Sequence, residues 1–121
     1  MANTFKVINF AAEPNSAGTP FTMYTVASST TTVVLGLVLA NINTTAVTAE
    51  VELVSTTSNR AGANNAANGT SFLVKDVNIP SGTSLELLSG GKVVLEAGDV
   101  LRIDCSVADK LSGTLSVMEM T

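Results

Sequence analysis

The residue types that usually catalyse reactions or bind metals are scarce in this sequence. It has no histidine and one cysteine, Cys105, which excludes a Ser-His-Asp triad, a Cys-His pair and a zinc site built from histidine or several cysteines. Paired carboxylates can hydrolyse glycosides, and the candidates are Glu50, Glu52, Glu86 and Asp104. These four occupy outward, polar positions of strand-like segments, which predicts solvated charge on the outside of strands. We therefore expect no catalytic residue and no enzymatic activity.

Ligand sites of other kinds find equally little support. The segment 89–92 (Ser-Gly-Gly-Lys) lacks the spacing of a phosphate-binding loop, and a strand follows it where such a loop requires a helix. Asp99 and Asp104 leave a calcium site open in principle, although no loop carries alternating acidic ligands. We expect no metal and no cofactor.

Charge and hydropathy also limit the partners. The net charge is −4, and the 6 Lys and Arg residues are scattered along the chain, so no basic surface for nucleic acid is expected. The most apolar run, 33–40, is much shorter than the roughly 20 residues of a membrane-spanning helix, and it is typical of a buried central strand. We expect no membrane partner either.

The elements that organise the chain are predicted to be strands. Apolar and polar residues alternate over 47–53, 101–107 and 114–117, the period of half-buried strands. Turn sequences at 80–82, 89–91 and 96–99 separate them. Together these features predict a single domain over 1–121, an antiparallel β-sandwich or jelly roll of eight or nine short strands. The strands are expected near 4–10, 21–27, 32–40, 46–56, 70–78, 83–88, 92–95, 99–107 and 112–120.

The core is expected to contain the apolar residue of each alternating pair. The predicted members are Val33, Leu35, Leu37, Val51, Leu53, Leu73, Leu85, Leu95, Leu101, Ile103, Leu115 and Val117. The lone Cys105 is expected to be a small buried residue on a strand.

Two segments interrupt this pattern. Residues 11–20 contain two prolines and separate the first strand from the rest, so 1–20 form either a core strand or an N-terminal arm. Residues 55–69 are a polar stretch with one charge, Arg60. A loop of that length is usually functional or mobile, and this one is expected to be mobile or ordered by a partner.

The excess of apolar residues predicts a contact with another protein. The chain is 45% hydrophobic with 16 charged residues (6 basic and 10 acidic), and the outward positions of the last strand become apolar. These side chains either cover one another within the monomer or contact a neighbouring subunit. The predicted partner-binding residues are Phe5, Phe10, Phe21, Tyr24, Arg60, Met118 and Met120.

Several blocks of sequence resemble one family. These are the opening Met-Ala-Asn-Thr-Phe-Lys, the run 34–42, and the segments 73–76, 79–85 and 92–99. In this order they resemble small virion structural proteins of tailed bacteriophages, particularly phages of marine cyanobacteria. The resemblance covers most of the chain and brings no catalytic residues with it.

The resemblance implies a non-enzymatic structural protein of the virion, assembled in the host cytoplasm. A head decoration (cement) protein that binds the major capsid protein is the leading expectation. A neck, tail or fibre-associated component, bound to other virion proteins, is the alternative within the particle. A host-surface carbohydrate-binding module is a second class, which would require exposed aromatic residues such as Tyr24. We expect either a homo-oligomer, with a trimer as the leading expectation, or a monomer that associates only on the particle.

Overall fold

The computed structural model describes residues 2–55, 69–88 and 91–121. These residues form nine strands: β1 (Asn3–Glu13), β2 (Phe21–Thr25), β3 (Thr31–Asn41), β4 (Val47–Val54), β5 (Thr70–Ile79), β6 (Ser84–Leu87), β7 (Val93–Leu95), β8 (Val100–Cys105) and β9 (Leu111–Met120). Each strand overlaps one that the alternation predicts, and no helix occurs among the described residues.

The strands form two antiparallel sheets. The first sheet has the order β1-β9-β3-β6, and β7 also pairs with β3; the second has the order β2-β8-β4-β5. Every pairing is antiparallel. The predicted antiparallel β-sandwich is therefore confirmed.

The core lies between the sheets and uses the alternate residues of the central strands. Val47, Ala49 and Val51 of β4 are buried, as are Leu101 and Ile103 of β8. The first sheet contributes Val34, Leu37, Leu39, Leu95, Leu111, Leu115 and Val117. Cys105 is buried as predicted, and burial raises the pKa of its thiol.

Two predicted core residues are wrong. Val33 and Leu35 are only half-buried, whereas Val34 between them is 1% exposed. The register of β3 against β9 shifts between Val34 and Gly36, so one extra residue enters β3 there. Such a bulge reverses the parity of the strand, and simple alternation assigned its first half to the wrong face.

The N-terminal residues form a strand of the first sheet. Asn3 to Phe10 pair with β9 without interruption, and Glu13 pairs with Leu111 after a register shift. The end of the strand is tied further by two backbone bonds, from Ala2 N to Thr121 O (3.1 Å) and from Thr121 N to Ala2 O (3.0 Å). Of the two possibilities for 1–20, strand and arm, residues 3–13 adopt the strand.

The predicted turns are present where the structure describes them. Thr83 donates its backbone N–H to Pro80 O, and Gly82 between them has a φ of 73°. Glu96 donates its backbone N–H to Asp99 Oδ2 at 2.9 Å, and Gly98 has a φ of 89°. The turn at 89–91 and the loop at 55–69 fall largely outside the described residues, although Ser55 N and Gly69 O close the base of that loop at 2.9 Å.

A glycine on β9 accommodates an aromatic ring of the edge strand. Phe10 lies opposite Gly113, and a Cβ at Gly113 would overlap with the Phe10 ring. From this position the Phe10 ring reaches Phe21 on β2, with ring centroids 5.2 Å apart. The absent side chain therefore allows Phe10 to cross β9 and link the two sheets.

Replacement of Gly113 by alanine is expected to destabilise the protein by about 1–3 kcal/mol, because the Phe10 ring must leave its position. Gly36→Ala is the matched control on the adjacent strand, where an added Cβ meets nothing within 4 Å, and it should be neutral or slightly stabilising. Urea denaturation measures both. Equal effects of the two substitutions would contradict the role of Gly113.

Candidate interaction surface

The outer face of the first sheet carries a row of apolar side chains. Phe5, Met118, Val33 and Val94 are paired in register across β1, β9, β3 and β7, and residues that pair across strands share a face. Phe5 is 71% and Val94 is 52% exposed. The row extends across the whole width of this part of the sheet.

Neighbouring positions widen this row into a patch. We call the following residues the outer apolar face: Phe5, Val7, Val33, Leu35, Val94, Met118 and Met120. Val7 is 68% exposed, and Met118 and Met120 are half-buried. A shallow depression of about 260 Å³ lies within it, lined by Phe5, Lys6, Val7, Leu35, Ser116 and Val117.

The bulge in β3 helps to form this surface. Gly36 pairs with Ser116, so Leu35 and Gly36 together oppose one residue of β9. Leu35 lines the depression and Gly36 adds no side chain above it. The same irregularity that made the core prediction wrong therefore places a leucine on the outside.

The outer face of the second sheet has the opposite character. Glu52 and Arg102 are paired across β4 and β8, with 2.6 Å between Oε2 and Nη2. Lys75 on β5 binds Glu50 Oε1 at 3.0 Å and lies 4.5 Å from the centroid of the Phe72 ring. These two ion pairs bind four of its charged side chains to one another within the monomer.

One carboxylate of this face is more buried than the sequence predicted. Glu52 was expected to be solvated, but it is 6% exposed. It lies opposite both Arg102 and Phe72, which cover it. A buried carboxylate is retained here because it is paired with a guanidinium.

A polar network joins the two sheets beneath the outer apolar face. The Tyr24 hydroxyl on β2 donates a hydrogen bond to Glu119 Oε2 at 2.5 Å and lies 2.8 Å from Thr32 Oγ1. Glu119 Oε1 binds Lys6 Nζ on β1 at 2.8 Å. Four strands, β2, β3, β9 and β1, are thus connected through the Glu119 carboxylate and the Tyr24 hydroxyl.

The electrostatics of this network follow from burial and hydrogen bonding. Burial, together with the hydrogen bond to Glu119, raises the pKa of Tyr24 to about 12. The hydrogen bonds from Lys6 and Tyr24 hold the pKa of Glu119 below its usual value. Glu119 is therefore ionised, and Tyr24 is a neutral donor, over the ordinary range of pH.

The structure separates the predicted partner-binding residues into groups. Phe5, Met118 and Met120 lie on the outer apolar face, and for the two methionines the parity of the last strand predicted an outward position. Phe10 and Phe21 are half-buried and pack against the core, and Tyr24 is 9% exposed because its hydroxyl is bound inside. Arg60 lies outside the described residues. Sequence reasoning missed Val94 and Val7, which it assigned neither to the core nor to a contact surface.

A smaller hollow on the other sheet carries acidic residues. Its lining includes Glu50, Asp76 and Asp104, and Asp104 Oδ1 accepts the N–H of Gly18 at 3.2 Å. In residues 2–55, 69–88 and 91–121 no group of three or more histidine, cysteine or acidic residues is arranged to hold a metal ion. Within the same residues, no helix has the length and apolarity needed to cross a membrane.

Comparison with known proteins bears on the fold alone. No protein-family model matches the chain, and no curated protein matches it. A chain of the infectious bursal disease virus Gx strain superposes with a TM-score of 0.51 at 15% identity, over 96% of this protein and 32% of the virus chain. A chain from Bacillus endospore appendages, which form a family of disulfide-linked pili, gives a TM-score of 0.47 at 16% identity, over 99% of this protein and 87% of the pilus chain. This protein thus spans about a third of the virus chain whose fold it shares.

Replacement of Glu119 by glutamine is expected to lower stability by about 1 kcal/mol at pH 7, because the ionic bond to Lys6 is lost while the contact with Tyr24 is weakened. The pKa of Glu119 is lowered in the folded protein. Its contribution to the free energy of unfolding is therefore present above the pKa of the unfolded state, near 4.5. That contribution is lost as the pH falls through the lower pKa of the folded state. Melting temperatures of the wild type and Glu119→Gln should therefore converge as the pH is taken below 4.5.

The control for this prediction is Glu86→Gln. Glu86 is an exposed glutamate on β6, and its substitution should change the melting temperature little at either pH. A difference between wild type and Glu119→Gln that stays constant with pH would contradict the ionic role of Glu119.

Proposed function

We propose that this protein is a non-enzymatic structural component of a tailed-phage virion, and that it decorates the head by binding the major capsid protein. The observation that carries the proposal is the outer apolar face on one side of a small sandwich. An accessory protein needs a folded body with one surface that binds a repeated partner. The opposite surface, which carries the Glu52–Arg102 and Glu50–Lys75 ion pairs, is suited to face solvent.

Three further considerations support the proposal. The sequence resembles small virion structural proteins of tailed phages in the order of its strand and turn segments. The likeness to a chain of infectious bursal disease virus, which concerns the fold, is compatible with a role in a particle. An exposed apolar patch rimmed by polar residues is also the usual mark of a protein contact.

The docking surface is proposed to be the outer apolar face, with Val94 and Met118 in contact with the capsid. Val94 is the informative residue, because it is 52% exposed and three strands away from β1. Phe72 is the matched position on the second sheet, with 45% exposure. The two positions allow the same charge to be placed on either side of the protein.

We expect Val94→Asp to weaken binding to undecorated heads at least tenfold, since a charge would be buried at the contact. Phe72→Asp should bind as the wild type does. Co-sedimentation of each variant with purified heads measures binding, and melting temperature establishes that both variants are folded. Loss of binding by Phe72→Asp alone would place the contact on the other face.

The copy number in purified virions tests the position in the particle. A decoration protein is expected at many copies, in proportion to the capsid protein. A neck or tail component, which forms rings, is expected at few copies per particle. Quantitative mass spectrometry of virions distinguishes the two. Complete absence from virions would refute the proposed function.

The carbohydrate-binding alternative receives no support from Tyr24. It required an exposed Tyr24, whereas the Tyr24 hydroxyl is bound to Thr32 and Glu119 inside the sandwich. We therefore do not propose it as the function.

A further inference from the structure

Strand β1 forms an edge of the first sheet that no other strand within residues 2–55, 69–88 and 91–121 covers. The sheet ends at β1, whose one neighbour is β9. Eight consecutive residues, Asn3 to Phe10, keep a continuous register with that neighbour. The edge is therefore long and regular, and an added strand needs both properties.

The hydrogen-bonding groups on this edge can be assigned. Ala2 and Thr121 exchange both of their backbone hydrogen bonds, and hydrogen-bonded pairs alternate along an antiparallel ladder. Even-numbered residues of β1 therefore bond to β9, while Asn3, Phe5, Val7 and Asn9 direct their N–H and C=O groups away from it. The side chains of Phe5 and Val7 belong to the outer apolar face, next to this row of backbone groups.

The other sheet edges carry the features that normally prevent strand addition. β6 and β7 have four and three residues, and β2 has five with a register shift. β5 carries Lys75 and Asp76, the latter with a φ of 52°, and its pairing with β4 is irregular. Short strands, bulges and charges are the usual protections of an edge. Over residues 3–10, β1 is neither short nor interrupted by a bulge.

The one charge in this part of β1 is directed into its own sheet. Lys6 Nζ lies 2.8 Å from Glu119 Oε1 on β9, so its ammonium group is neutralised on the side away from the open edge. An incoming strand would meet the apolar Phe5 and Val7 on the outer face.

We propose that the open edge of β1 pairs with the same edge of a second copy of this protein, antiparallel about a two-fold axis. Because only odd-numbered residues offer backbone groups, hydrogen-bonded pairs must join odd to odd. The register that places Phe5 opposite Val7 of the second copy also places Asn3 opposite Asn9, and both pairs occur twice. A shift of this register by two residues, which keeps odd residues opposite odd ones, sets Phe5 against Asn9 in one direction or Val7 against Asn3 in the other.

This self-complementarity identifies the occupant as a second copy. A two-fold contact requires one surface to match itself, and in this register apolar residues meet apolar residues while amides meet amides. The two Lys6 residues face each other, each already bound to its own Glu119. The pair of copies would extend the first sheet and join their outer apolar faces into one surface. This is a dimer, where the sequence led us to expect a trimer or a monomer that associates only on the particle.

Val7→Pro tests the pairing without disturbing the monomer's own ladder. The Val7 N–H points to the open edge, so proline there removes no bond to β9 but removes one from each copy at the contact. Val7→Thr is the matched control, which keeps the N–H and the β-branched shape. In light scattering after gel filtration at about 100 μM, the wild type and Val7→Thr should have twice the 12.4 kDa of one chain, and Val7→Pro should have the mass of one.

A disulfide provides a second measurement that does not depend on the folding of the proline variant. In the proposed register Lys6 faces Lys6 of the second copy as a non-hydrogen-bonded pair, with Cα atoms about 4.5 Å apart, within the range of a disulfide. Lys6→Cys should form a covalent dimer on oxidation. Thr4→Cys, whose residue would face Ile8, should not.

The outcomes decide the proposal without reference to the virion. A wild-type protein that is monomeric at this concentration, a dimer that survives Val7→Pro, or equal cross-linking of Lys6→Cys and Thr4→Cys would each overturn it. Absence of the protein from virions would refute the proposed function and leave the pairing intact.

Discussion

Strand β9 lies between β1 and β3, and its two-residue alternation determines both faces of the first sheet. On the inner face Leu111, Leu115 and Val117 enter the core, and Glu119 bonds Tyr24 of the opposite sheet. On the outer face Met118 continues the apolar row from Phe5 to Val33. A shift of one residue along β9 would exchange these sets, burying methionines and exposing the leucines. The core and the proposed docking surface therefore depend on the same register.

The sequence predicted the strands better than it predicted which side of them is covered. Alternation located the strands and most of the core because period-2 patterns are a property of the segment itself. It assigned Val33 and Leu35 wrongly, since a bulge depends on how β3 is matched to β9 and leaves no mark in hydropathy. Gly36 is the residue that accompanies the shift, and a glycine inside an apolar run is a recognised signal of a bulge.

The candidate surface was predicted in part for a similar reason. Met118 and Met120 could be placed outside by parity alone. Tyr24 could not be assigned from its type, because its burial depends on Glu119, which is 95 residues away. Val94 is outside because it pairs with Val33, which the bulge in β3 places on the outer face. Contacts between distant segments decide such cases, and a single sequence does not contain them.

The pairing of β1 with β9 has a consequence for how the chain reaches this fold. The first strand must wait for the last of the nine strands to be synthesised before it acquires a partner, and β3 receives its longest pairing from the same strand. Contacts so distant in sequence are formed slowly, because closing a long loop costs entropy before any bond is gained. Until β9 emerges, Phe5, Val7, Ile8 and Phe10 remain on an unpaired apolar segment. Translation rate and chaperone supply, more than the stability of the finished sandwich, should therefore govern how much of this protein is recovered in soluble form.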